Sequence, residues 1–474
     1  MSENVEAPNS NVVAKAGLWY TICNFLFKGA VFITTPIFTR LLTQNQIGDF
    51  SNYTSWVSIL IVITSFDIQS SIIRSKLEYE EDLDCYIFSI LSLTSIVTLL
   101  FYGMILMFPD AFSSFFKIEM KYIHIMFLYL LFTPAYQMLI TKHRAFYKYK
   151  TFVMLTGITI LSSTFLSLAM VLLMEDKYAG RLIGNFLPYI IVGIIIYLYL
   201  WKKGRKIKIK YWKYASEICL PLVPHVLSLY LLSSSDKIII TKICGSQLTS
   251  IYAIAYNCYN IVTLLFNSLN NAWAPWLLDN LHYKNYESIK KTSKKYIGIF
   301  LILIIGILLL VPEIIYILGG SEYHSAIYCL PPLITACIFQ FVYTMYVNIE
   351  FYEKKTIGVS VATMIATVVN IILNFLLIPL DINNGHIIAS YTTLLGYILL
   401  FFLHYYLVKK MHMNNIYDIK FISFVLIVSL IVMVMMNLLY NILSLRFLIL
   451  IIYFIAVITF IFKNKIVLIK LFKI

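Results

Sequence analysis

Charge is scarce in this sequence. Asp, Glu, Lys and Arg together make 13% of the 474 residues, about half the roughly 25% of an ordinary soluble domain. Beside 60% apolar content and a mean hydropathy of +0.83, that deficit excludes a soluble fold. Acids are scarcer than bases, 23 against 37, which leaves a formal charge of +14. Nucleic acid is not the partner this implies, because the bases are scattered through short segments between apolar runs and form no basic domain. The seven cysteines, Cys23, Cys85, Cys219, Cys244, Cys258, Cys329 and Cys337, are odd in number, contain no CxxC and fall mostly inside apolar runs. They read as packing residues, and neither a disulfide framework nor a metal site is expected. Residues 1–14 are polar, with no basic stretch ahead of a short apolar core, so no cleaved signal peptide is expected. GxxxxGK[ST], HExxH and GxSxG are missing, so no feature points to catalysis, to a cofactor or to ATP-driven transport. Asp82-Leu83-Asp84 has the spacing of a metal-diphosphate D-x-D, but in a short loop with no nucleotide-binding domain it reads as a solvated acidic run.

What the chain does have is long apolar runs. A span needs about 20 mostly apolar residues, and about fourteen such runs can be placed, near 15–40, 49–73, 86–108, 120–141, 151–174, 181–201, 217–242, 249–275, 296–318, 325–349, 357–379, 386–408, 419–440 and 446–463. The fold class expected is therefore an all-α integral membrane protein. With the N-terminus inside, 28 basic residues fall on the cytoplasmic side and 7 outside, with Lys28 and Lys237 left within spans. The positive-inside rule then puts both termini in the cytoplasm. The longest connections, 201–214 and 277–295, are both basic and cytoplasmic, and neither is long enough for a globular domain.

A weak internal repeat runs between the halves. Residues 39–51 (TRLLTQNQIGDFS) align without gaps with 241–253 (TKICGSQLTSIYA). Six spans separate the copies, an even number, so the halves would be parallel repeats about an axis along the membrane normal.

The apolar runs carry a few expensive residues. In the first, Asn24 and Lys28 share a stripe with Thr21 and Thr35. Lys28 lies about 20 Å from the cytoplasmic end at 1.5 Å per residue, too deep for easy snorkelling. It is read either as an anchor for an anionic substrate or as the partner of a carboxylate such as Asp67. In the eighth run Asn257, Asn260, Asn267 and Asn271 form one polar face, suited to line a cavity for sugar hydroxyls or to bond neighbouring helices at about 0.6 kcal/mol each. The seventh run places His225, Ser228 and Asp236 on one face, with Lys237 turned about 100° away. Asp236-Lys237 is read as a gate or as an interfacial pair, and His225 as a proton-coupling group or a structural histidine. Thr363, Thr367, Asn370 and Asn374 make a further stripe, lining or glue. Trp273 and Trp276 fit an interface belt.

The stretch PLVPHVLSLYLLSSSDKIIITKICGSQLTSIYAIAY with NNAWAPW after it, the opening PIFTRLLTQNQIGDFS and the later KKTIGVSVATMIATVVNIILNFLLIP resemble bacterial polysaccharide exporters. These are the O-antigen flippase type within the multidrug/oligosaccharidyl-lipid/polysaccharide (MOP) superfamily. The resemblance spans most of residues 12–410. It implies a MATE-like fold of two pseudo-symmetric six-helix lobes, 15–208 and 209–411, in a V around a cavity. A tail at 1–14 and two further helices within 412–474 complete the chain. It also implies a flippase of the bacterial cytoplasmic membrane that moves undecaprenyl-diphosphate-linked oligosaccharide, an O-antigen or other surface repeat unit, by alternating access. Lys28, Asn24 and the asparagine stripe would be cavity candidates; Asp67, His225, Asp236 and Lys237 would be gate or H+/Na+ coupling candidates. A polymerase and other polysaccharide-assembly proteins are the expected partners beside the lipid-linked substrate and the bilayer. A drug or metabolite antiporter of the same superfamily and a membrane polymerase or glycosyltransferase are the rival readings.

Overall fold

In hydrocarbon every backbone N–H and C=O has to be satisfied within the chain, which leaves helices for a sequence with these apolar runs and no β alternation. The computed structural model describes residues 19, 20, 23, 26, 29 and 32–463, and among them the fold is all helical, with no strand. Residues 32–41 are helical. The helices that follow are Gln44–Ser65 (α1), Ile72–Glu78 (α2), Leu83–Met107 (α3), Pro109–Phe116 (α4), Met120–Ala145 (α5), Tyr149–Leu173 (α6), Lys177–Gly204 (α7), Ile209–Cys219 (α8) and Val223–Ile243 (α9). They continue with Ser246–His282 (α10), Tyr286–Leu309 (α11), Val311–Gly319 (α12), Ala326–Tyr352 (α13), Thr356–Leu377 (α14), Gly385–Lys410 (α15), Ile419–Leu439 (α16) and Leu443–Lys463 (α17).

Among the described residues eleven helices are long and apolar enough to cross a membrane, or twelve if a bent pair counts as one span. The count of about fourteen is therefore approximate. The first sequence-read run, 15–40, lies partly outside the described residues, and the last is apolar over a shorter stretch, Leu443–Thr459. The run read as one span over 49–73 is broken: α1 and the helical segment Ile68–Glu78 are bent by 52°. The break sits at Phe66 and Asp67, whose φ of 51° and 50° lie in the left-handed region, where a non-glycine residue is uncommon. Asp67 accepts hydrogen bonds from Gln69 and Ser70 in the following turn.

The helix starts are legible chemistry. Thr43 and Gln46 form a capping box, each side chain bonded to the other's backbone N–H. Asp176 caps α7 through Ala179 N–H at 3.0 Å, and Asp418 caps α16 through Phe421 N–H at 3.2 Å.

The chain divides into two compact units. The first comprises Met1–Ala253 and Ile371–Gly385, the second Ile254–Asn370 and His386–Ile474. In the first unit, α6 and α7 pack at a small-residue seam. A Cβ on Gly180 would meet Met170 O at 2.6 Å and one on Gly184 would meet Ser167 Cα at 2.3 Å, the close approach of a GxxxG pair in a membrane. Tyr53, Tyr122, Phe127 and Phe186 fill the core between α1, α5 and α7. The two repeat copies also meet within this unit. Gln247 donates to Gln44, Ser246 donates to Asp49, and a Cβ on Gly48 would lie 1.8 Å from Ser246 O.

In the second unit α13 is buried along most of its length. Trp273, expected in an interface belt, is 1% exposed and packs against Trp276, Tyr296 and Tyr417. A tryptophan this size contributes more as core filling than as a surface anchor when a ring cluster surrounds it. Arg446 clamps Glu313 with two bonds of 2.6 Å, fastening α17 to α12. Six of the seven cysteines are buried and Cys244 is half-buried, as packing residues.

Candidate functional site

Asn24 and Lys28, the cavity candidates of the first run, lie outside the described residues. The asparagine stripe can be followed in full along α10, in the second unit. Asn260, Asn267 and Asn271 are exposed and Asn257 is half-buried. Among the described residues no side chain or backbone group bonds these four amides. Asn270, one position off the stripe, accepts from Asn348 Nδ2 at 2.8 Å. The contrast separates two uses of one residue type. Asn270 joins α10 to α13, whereas the stripe presents bare donors and acceptors. Facing hydrocarbon, each amide would lose its partners at a cost of a few kcal/mol, so the stripe suits a polar volume.

The second amide stripe behaves differently. Thr363, Thr367, Asn370 and Asn374 are all buried. Thr363 and Thr367 hydroxyls return to the helix carbonyls of Val359 and Thr363, and Asn374 Nδ2 donates to Asp236 Oδ1 at 2.6 Å. Of the four, Asn374 fastens its helix to another, while the two threonines satisfy their hydroxyls within their own helix.

Asp236 is fully buried in the first unit and accepts a second bond, from Tyr252 Oη at 2.5 Å. A buried carboxylate held by an amide and a phenol has its lone pairs partly satisfied and its position fixed. Lys237 is half-buried next to it. Ser228 is buried and bonds to Pro224 O at 2.7 Å, and His225 is half-buried. The fixing partners of Asp236 had no sequence signal at helical spacing, since Tyr252 and Asn374 come from other helices.

Asp82 and Asp84 do not act as a D-x-D pair. Asp82 is bound by Lys208 and Tyr211, and Asp84 by Lys142. The two carboxylates are committed to different cations. Among the described residues no group of three His, Cys, Asp or Glu side chains could hold a metal ion. An open cleft of about 540 Å³ in the first unit is lined by Asp49, Asp110, Ser113, Lys117, Glu119 and Ser246.

Sequence reasoning missed one buried titratable pair altogether. Glu350 on α13 and His404 on α15 lie 2.7 Å apart, Oε1 to Nδ1, both fully buried. Glu350 was hidden by its place in NIEFYEKK, at the edge of a basic loop, and His404 stood alone in an apolar run. A lone ionisable residue inside a long apolar run is the signal that could have found it.

Comparison with known proteins fits this architecture. A family model described as polysaccharide biosynthesis protein matches residues 13–281. No curated relative matches the sequence. The lipid II flippase MurJ in an inward closed conformation is similar in fold, with a TM-score of 0.67 at 15% identity, over 93% of this chain and 99% of that one. An inward-facing multidrug resistance MATE family transporter of the MOP superfamily gives 0.61 at 12% identity, over 83% and 95%. A MOP superfamily transporter from Pyrococcus furiosus gives 0.53 at 14%, over 87% and 99%. Identities this low speak for the fold alone, while the family model covers more than half the chain. On that match the chain belongs to the polysaccharide biosynthesis protein family, and it carries the fold of MOP-superfamily transporters and flippases.

Proposed function

We propose that the chain moves a lipid-linked oligosaccharide, an undecaprenyl-diphosphate-borne repeat unit of a surface polysaccharide, from the inner to the outer leaflet of a bacterial cytoplasmic membrane. The observation that carries this reading is the row of exposed, unbonded amides at Asn260, Asn267 and Asn271 on a helix otherwise built of apolar residues. Amides both donate and accept, which matches the hydroxyls of a glycan better than the surface of a lipophilic cation. Membership of a polysaccharide biosynthesis family supports the substrate class. The sequence-read lobes, 15–208 and 209–411, would alternate access to the two sides, Lys28 and Asn24 would meet the diphosphate, and Asp67, His225, Asp236 and Lys237 would gate or carry a coupling ion. A polymerase would take the delivered unit.

The test is deletion of the gene followed by location of the lipid-linked oligosaccharide. Accumulation in the inner leaflet is expected, with rescue by the wild-type chain and not by Asn260→Leu/Asn267→Leu. Oligosaccharide delivered outside but left unpolymerised would point to a polymerase, and unchanged glycan with lost dye efflux to a drug exporter; either would overturn the proposal.

A further inference from the structure

The pair formed by Glu350 and His404 is not needed by the reading above and stands whatever the chain carries. Its geometry is unusual for glue. Both residues are 0% exposed, and one bond joins them, between Glu350 Oε1 and His404 Nδ1 at 2.7 Å. Their other polar atoms, Glu350 Oε2 and His404 Nε2, are buried with no hydrogen-bond partner. A pair serving only to fasten α13 to α15 would do so more cheaply with neutral amides, since an orphaned buried polar atom costs about 1–3 kcal/mol.

Counting protons shows what the arrangement does. A carboxylate beside a neutral imidazole carries a net charge of −1. One added proton makes the pair neutral in total, either as carboxylate with imidazolium or as carboxylic acid with imidazole. A second would make it +1. In low dielectric a net charge of either sign is expensive, so the enclosed site favours one exchangeable proton. Gaining or losing it requires access to water.

Such access has a short path. A Cβ on Gly358, in the first turn of α14, would lie 3.5 Å from Glu350 Oε2 and 3.3 Å from Leu407 Cδ1. The residues just before it, 353–357, are exposed. Gly358 and the Leu407 side chain thus lie beside the orphaned oxygen, next in sequence to an exposed turn. Among the described residues no ion pair joins Glu350 or His404 to a further charged side chain. Tyr343 stacks on His404 at 5.3 Å, and Tyr397 stacks on Tyr343 at 6.2 Å. Of the helices packed on α13, α11 presents Lys294, which is ion-paired to Asp418. Tyr417, just before α16, donates to Met345 O. Lys354, Lys355, Lys409 and Lys410 lie at the nearby helix ends, and none is ion-paired to Glu350. We infer that Glu350 and His404 form a proton-binding site in the membrane part of the second unit, exchanging one proton with water at the 353–357 turn past Gly358.

The test uses the full chain in lipid nanodiscs without substrate. Ring resonances of ¹⁵N-labelled histidine, assigned through His404→Gln, and an infrared carboxyl band, assigned through Glu350→Gln, are followed across the full pH series in which the protein stays folded. Both signals should change with one shared midpoint, and each single variant should shift or abolish the partner's change. Gly358→Val, whose larger side chain blocks the path, should slow proton exchange at His404 relative to wild type. Glu350→Gln/His404→Gln retains a neutral side-chain hydrogen bond and guards against misfolding. It should fold and lack both signals. If the wild-type His404 signals stay constant across the whole series, or the carboxyl band persists in the folded double variant, the site does not exist.

Discussion

At the scale of single residues, position along a helix decides what a polar side chain does. Asp67, Asp176 and Asp418 are all aspartates at helix or turn starts, and each is held by local donors, as short carboxylates at such positions tend to be. Asp418 is the most informative, because it combines a cap with a bridge. The Lys294 ammonium, and then the Phe421 N–H, hold its carboxyl below the usual carboxylate range. A depressed folded-state value means that the stabilisation is present above the unfolded value of about 3.9 and is lost as pH falls through the folded one. Asp418→Ala should therefore unfold more readily than wild type at neutral pH, by roughly 1–2 kcal/mol for the lost cap. The gap should begin to shrink below about pH 4 and close once the pH falls past the lower folded value. Unfolding in detergent micelles across a pH series measures both. A gap that persists undiminished in acid would mean that Asp418 acts through packing and not through its charge.

At the scale of elements, the repeat found in the sequence has a physical consequence in the first unit. The segments 39–51 and 241–253 lie against each other through Gln44 with Gln247, Asp49 with Ser246, and Gly48 under the Ser246 carbonyl. At Gly48 the added Cβ would stand 1.8 Å from that oxygen, so backbone has to move. Overpacking of this kind costs about 1–3 kcal/mol or more. Gly48→Ala is expected to lower the melting temperature and the yield of folded protein, while Gly103→Ala, with nothing within 4 Å of the new methyl, should leave both unchanged. Equal behaviour of the two variants, followed by fluorescence-detected gel filtration after heating, would mean that α1 and α10 do not pack this tightly. The contact was not readable beforehand. The alignment signalled that the segments are alike, but not that they touch.

Legibility varied in the same way along the chain. Run length and hydropathy were enough for most spans, because the bilayer demands length and apolarity and little else. They missed the break at Phe66-Asp67, which depends on two left-handed residues carrying no glycine or proline mark. The asparagine stripe was readable as a face, but which amides are bonded depends on what stands opposite: Asn348 meets Asn270, while among the described residues nothing bonds the Asn267 side chain. Glu350 and His404 are 54 residues apart and carried no common period, so their meeting is a tertiary fact.

At the scale of the whole molecule, the distribution of charge is the property that fixes how the chain sits in a membrane. The imbalance of 28 basic residues on one side against 7 on the other predicts that the 201–214 and 277–295 segments face the cytoplasm. The 7 include Lys117 and Lys177, which would face outward. The native thiols make this testable with little background. Six of the seven are buried, and the half-buried Cys244 can be replaced by alanine. In that background a cysteine at Lys206 or Lys284, both exposed, should react with a membrane-impermeant maleimide only after the cells are opened. One at Lys177, also exposed, should react in intact cells. Moving the seven-base cluster at 202–213 to glutamine should weaken the preference, because each cation near an anionic cytoplasmic surface contributes about 1 kcal/mol. Labelling of Lys206 from outside in the unaltered background would reverse the orientation. It would also place the exposed turn at 353–357 on the opposite side from the one its lysines indicate.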